Sequence, residues 1–88
     1  AKPGTINAPI QVHHGADDPY VPHEEVHNFM KEMNAADADW ELTQYANAVH
    51  SFTQKEAGND PSKGAAYNEK ADKRSWQSMQ NFLSEVLG

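Results

Sequence analysis

Three short stretches of the sequence carry side chains that could do chemistry. HEEVH, residues 23–27, spaces two histidines one helical turn apart with a glutamate between them. In His-Glu-x-x-His sites the histidines grip zinc and the glutamate acts as base. GADDPYVP, residues 15–22, offers the carboxylates Asp17 and Asp18, and VHSF, residues 49–52, offers His50. A carboxylate that accepts a hydrogen bond from an imidazole fixes its tautomer and stabilises the imidazolium formed during catalysis. A fourth grouping, His13, His14, Asp17 and Asp18, has the donor types of a metal cluster.

The elements that would have to position these groups follow from periodicity. Residues 1–8, with Pro3, Gly4 and Asn7, read as a loop. In PIQVHHG, Ile10 and Val12 alternate with Gln11 and His13, which predicts a strand over residues 9–14 ended by Gly15. ADDPYVP is turn chemistry. After Pro22, Val26, Phe29, Met30 and Met33 recur at helical spacing and predict a helix over residues 23–34. WELTQY alternates and predicts a second strand over residues 40–45. A polar loop then runs from Ala46 to Lys63, and a closing helix from about Ala65 to Leu87 carries Trp76, Met79, Leu83 and Val86 along one face. A helix joining two strands through short loops is a crossover between parallel neighbours. In open parallel sheets sites form beyond the carboxyl ends of the strands, so Asp17, Asp18 and His50 are expected on one sheet edge.

That framework weighs against zinc. HEEVH falls at the very start of a helix, where His23 and His27 border the apolar stripe and Glu24 points to solvent. Glu24 and Glu25 there suit the positive end of the helix dipole, so the motif is read as coincidence. His13 and His14 are adjacent on a strand and point to opposite faces, so at most one could join the carboxylates. The Asp18–His50 pair survives, with the alternative that both are turn and surface residues. It lacks a nucleophile: there is no G-x-S-x-G elbow, no cysteine, and no serine at a tight strand-to-helix turn.

At 88 residues the chain is at most one domain, with a modest core and no disulfide to supplement it. A net charge of −6, with seven scattered basic residues, argues against nucleic acid or an anionic membrane as partner. No apolar run approaches the ~20 residues of a membrane span, which suits a soluble chain. The opening AKPG lacks an initiator methionine, as in a processed or trimmed product or a piece of something longer.

Several motifs together resemble one family. APIQVHHGADDPYVPHEEVHNFMKEM looks like the dienelactone hydrolase segment in which an apolar strand leads into G-x-x-D-x-x-V-P. YANAVHSF resembles that family's final strand and loop, with H-x-F bearing the histidine. GNDPSKGAAYNEKADKRSWQSMQNFLSEVLG is similar to its closing loop and helix. The resemblance covers essentially the whole chain. It implies an α/β-hydrolase fold, of which residues 1–88 would form a single partial domain, the β-α-β-α C-terminal portion lacking the nucleophile-bearing strands.

Family members hydrolyse esters or lactones with a triad in chain order nucleophile, acid, histidine. Carried over, Asp18 is the acid, Asp17 a turn residue and His50 the general base. Tyr20 and Phe52 would help line the substrate site. The nucleophile and oxyanion donors would lie upstream of Ala1. No cofactor and no metal are implied. The expected partners are a small ester or lactone, the missing N-terminal portion, or a second copy of the chain. The alternative is a non-catalytic fragment that persists by self-association, pairing strand edges or packing its Trp40 and Trp76 surfaces.

Overall fold

The computed structural model describes residues 4–88; the first three residues of the opening loop lie outside the described residues. Strand β1 (Ile10–Gly15) is followed by helix α1 (His23–Ala35), strand β2 (Trp40–Tyr45) and helix α2 (Glu69–Leu87). The strands pair in parallel, from Ile10 opposite Trp40 to Gly15 opposite Tyr45. This is the α/β crossover unit expected from the alternating patterns. No helix among the described residues is long and apolar enough to cross a membrane.

Strand parity sorts the two faces. On one face the Trp40 ring meets Phe29 of α1 edge-on, at 6.1 Å between centroids. On the other, the Gln11 side chain donates to the Ser78 hydroxyl of α2. The helices therefore cover opposite faces of the two-stranded sheet. Val26 and Met33, two of the four residues in the stripe of α1, are buried. The helix ends in a Schellman turn: Ala38 N–H reaches Met33 C=O and Asp37 N–H reaches Asn34 C=O, with Asp37 in the left-handed region at φ 54°.

Two expectations change. The closing helix starts at Glu69 rather than near Ala65, because the Asn68 side chain caps it by accepting from Ala71 N–H. Ala65 instead forms a parallel bridge with His50. The long loop also contains two short 3-10 turns, Lys55–Ala57 and Pro61–Lys63.

The predicted apolar face of α2 is present but largely uncovered. Trp76 is 58% exposed, and Leu83, Val86 and Leu87 are exposed with it, whereas the helix buries Ala71 and Ser75. The result is a slab 41 × 32 × 18 Å. Its radius of gyration of 14.3 Å exceeds the roughly 12 Å of a compact chain of this length. Tyr45, Ala48, Phe52 and Ala71 form a buried apolar cluster beside the loop that carries His50.

Candidate functional site

The loops leaving the carboxyl ends of β1 and β2 are stitched together. Ala16 N–H continues the ladder to Tyr45 C=O, and Asp17 N–H donates to Ala48 C=O, each at 2.9 Å. Gly15 makes this approach possible. A Cβ there would stand 2.6 Å from Ala48 O and 2.7 Å from Val49 O. Glycine is thus required by the crossing of the second loop over the first, not by any unusual φ.

Asp18 then turns inward while Asp17 remains exposed. One Asp18 carboxylate oxygen accepts from Tyr20 N–H at 2.8 Å, closing an Asx turn. The other accepts from His50 Nδ1–H at 3.1 Å. The Asp18 side chain is 7% exposed and that of His50 is 50% exposed. The carboxylate is thus sheltered while the imidazole reaches the surface. With Nδ1 committed to Asp18, the neutral ring presents Nε2 as a free acceptor, and no residue among those described occupies it.

The His50 backbone is held as well. His50 N–H donates to Gly64 C=O and Ala66 N–H donates to His50 C=O. The next residue, Ser51, sits at φ 59°, a conformation that costs a non-glycine residue free energy and persists only where its surroundings impose it. Gly64 has φ +86°, and a Cβ on it would meet Pro19 Cγ at 3.0 Å. Here the strap over residues 64–66, the acid loop and the histidine loop converge.

A concavity of about 940 Å³ opens beside this pair, with Asp18, His50, Phe52, Trp76 and Met79 on its wall. Phe52 lines it while lying 7% exposed in the core against Tyr45. Tyr20 is 61% exposed and off that wall, its ring edge-on to His50 at 5.2 Å.

The remaining histidines take other partners. His13 Nδ1 lies 2.8 Å from Tyr45 Oη, and Nε2 lies 2.8 Å from Gln11 Oε1. Because the Gln oxygen can only accept, His13 is the Nε2–H tautomer and Tyr45 donates to it. Burial holds His13 below the usual imidazole value, against an opposing pull from Glu41, and burial also pushes the Tyr45 phenol up. His14 faces the other way, toward Gln44 and Val21. In HEEVH, His23 Nε2 reaches the Ala16 carbonyl and His27 is exposed. Among the described residues no three histidine, aspartate or glutamate side chains gather where they could hold a metal ion.

Comparison with known proteins shows the family. The model of the dienelactone hydrolase family matches residues 1–87. The chain belongs to the dienelactone hydrolase family. A dienelactone hydrolase-like promiscuous phosphotriesterase, P91, from metagenomic libraries is 42% identical and superimposes with a TM-score of 0.81 over 89% of this chain and 33% of its own. A second solved structure, m3DLH, is 41% identical with a TM-score of 0.78, over 86% of this chain and 32% of its own. An uncharacterized protein of Caenorhabditis elegans, K02A2.1, is 40% identical over 78 residues, 89% of this chain and 49% of that protein. This dienelactone hydrolase family chain therefore spans about half the length of that curated relative and about a third of each solved structure.

Sequence reasoning weighed His14 only as a metal ligand and missed its contact with the Val21 carbonyl, the place of Gly64 and the steric reason for Gly15. Only the isolated glycine in the G-N-D-P-S-K-G loop left a trace in the sequence, as a possible left-handed turn.

Proposed function

We propose that residues 1–88 supply the acid and the general base of an ester or lactone hydrolase, Asp18 and His50. The nucleophile and oxyanion donors would be contributed by polypeptide outside these 88 residues. The observation that carries this reading is the sheltered carboxylate bonded to His50 Nδ1, which leaves Nε2 free at the mouth of a concavity. In such an arrangement His50 takes the proton of the attacking nucleophile and returns it to the leaving group, and Asp18 holds the tautomer and stabilises the imidazolium. Phe52 would form part of the substrate wall, and Tyr20 would border the imidazole. Because a relative is described as a promiscuous phosphotriesterase, phosphotriesters belong beside small esters and lactones in the substrate panel.

The test is hydrolysis of p-nitrophenyl esters by the longest polypeptide that carries these residues, beside the 88-residue chain. Asp18→Asn is expected to lower kcat by about 10⁴-fold, since it leaves the geometry but favours the wrong tautomer. His50→Ala is expected to abolish His-dependent turnover, and the 88-residue chain alone to be inactive. Turnover unaffected by His50→Ala would overturn the assignment.

A second reading has its own support. Exposed Trp76, Leu83, Val86 and Leu87, with one edge of each strand unpaired among the described residues, would drive the 88-residue chain alone to self-associate without catalysis. Light scattering that finds a stable monomer would defeat it.

A further inference from the structure

Three polar residues are buried among those described: Asp18, Ser75 and His14. Asp18 belongs to the site, and the Ser75 hydroxyl donates to Asp72 C=O within its own helix. His14 is unaccounted for. A buried imidazole gains nothing over a leucine of similar size unless its nitrogens are used. Both are: Nε2 lies 3.1 Å from the Val21 carbonyl oxygen, and Nδ1 lies 3.2 Å from Oε1 of the exposed Gln44 side chain, whose amide O and N are interchangeable by rotation. The Val21 carbonyl can only accept, so Nε2 carries the proton; Nδ1 then accepts from Gln44 with its amide turned to present N–H.

Val21 is the last residue but one of the seven-residue loop, residues 16–22, that bears Asp18. The near end of that loop is fixed by Ala16 and Asp17 N–H groups bonded to Tyr45 and Ala48 carbonyls. Beyond Asp18, Pro19 has no N–H to donate, and the Tyr20 N–H is spent on Asp18 itself. The far end is therefore tied to the sheet by His14. His23 makes a second, exposed bond from α1 back to the Ala16 carbonyl.

We infer that His14 is the positioning residue for Asp18. Its Nε2–H anchors the far end of the acid loop so that the carboxylate meets His50 Nδ1, and His23 is an outer brace on the near end. The inference rests on the proposed roles of Asp18 and His50. It also gives HEEVH a use: its first histidine supports the acid loop.

The experiment uses the longest polypeptide carrying these residues, labelled with ¹⁵N-histidine, in wild-type, Asp18→Asn, His14→Leu, His14→Gln and His23→Ala forms. Two readouts apply: the ¹⁵N tautomer signature of His50, and kcat and KM for a p-nitrophenyl ester. Wild type is expected to hold His50 as the Nδ1–H tautomer, and Asp18→Asn to lose it. His14→Leu fills the space without a donor. It is expected to lose the Nδ1–H tautomer at His50 and to lower kcat about 10- to 100-fold with little change in KM, as displacement of a catalytic group by about 1 Å would. His14→Gln keeps an amide donor toward Val21 and is expected to recover most of both. His23→Ala should have a smaller effect.

If Asp18→Asn changes the His50 tautomer and His14→Leu does not, the anchoring role is overturned while the acid–base pair stands. If Asp18→Asn leaves the tautomer and kcat unchanged, the pair itself fails. Should His14→Leu not fold, a His14→Gln protein that folds but lacks the Nδ1–H tautomer also overturns the inference.

Discussion

Gly15→Ala adds one methyl group at the point where the two site loops cross. The new carbon would stand 2.6 Å from Ala48 O, 2.7 Å from Val49 O and 2.8 Å from Ala48 C. All three are backbone atoms, so no side chain can swing aside. Reaching ordinary van der Waals contact requires them to retreat by about 0.8 Å. Overpacking of this kind costs about 1–3 kcal/mol, and here the upper end applies because the peptide that must move also accepts the Asp17 hydrogen bond. About 3 kcal/mol lowers the melting temperature of a domain this size by roughly 12–24 °C.

The peptides displaced, Ala48–Val49 and Val49–His50, run directly into His50, so catalysis should fall together with stability. Gly58→Ala is the control. Gly58, unlike Gly15, has a positive φ (82°, with ψ −166°) that side chains avoid, and nothing lies within 4 Å of its Cβ position, so its cost of about 1–3 kcal/mol is confined to the local backbone and leaves the His50 loop in place. Thermal unfolding followed by circular dichroism, at one fixed protein concentration, compares the two. Gly15→Ala that melts with wild type and keeps its turnover would refute the steric reasoning and the loop crossing with it, whereas Gly58→Ala is expected to lose stability alone.

Further outcomes follow from the titrating groups. The Tyr67 hydroxyl donates to Asp72 at 2.7 Å, and that bond, with smaller help from burial and nearby charge, pushes the phenol up to about 12. Because the folded value is the higher one, the bond's contribution to stability is complete below pH 10 and is lost as pH rises through about 12. Spectrophotometric titration should show one phenol ionising near there, returning toward 10 in Asp72→Asn; an unchanged profile would exclude the bond. His13 has the opposite sign. Burial depresses it, so the folded protein is at its best above 6.5 and loses stability as pH falls below that through its lower folded value. Urea unfolding of His13→Gln should show a weaker acid-side loss than wild type, and equal slopes would contradict the assignment.

The positions of the elements were legible because each rests on local chemistry. The alternation of Ile10 and Val12, the stripe from Val26 to Met33 and the turn residues between them needed no distant partner to interpret. Asp18 and His50 could be placed on one sheet edge because a parallel crossover returns both strand ends to the same side. The start of α2 was misplaced by helical-looking residues 65–68. Ala65 is drawn into a bridge with His50, and Asn68 serves as a cap, so tertiary pairing overrode a weak local preference. The stripe of Trp76, Leu83 and Val86 was read correctly as apolar, but periodicity reports a face and not whether anything covers it. Gly15 and His14 were opaque for a different reason. Each is explained by an atom that the fold brings close: the Ala48 carbonyl more than thirty residues on, and the Val21 carbonyl across a turn.

The central claim is that these residues activate a nucleophile they do not contain. The most direct measurement is intact-mass detection of the acyl adduct formed by an activated ester, followed by peptide mapping, on the longest polypeptide and on its His50→Ala form. The expected result is an acyl group on a serine or cysteine outside residues 1–88, formed much more slowly in His50→Ala, with no adduct on the 88-residue chain alone. An adduct mapped within residues 1–88, or acylation at the same rate without His50, would contradict the account.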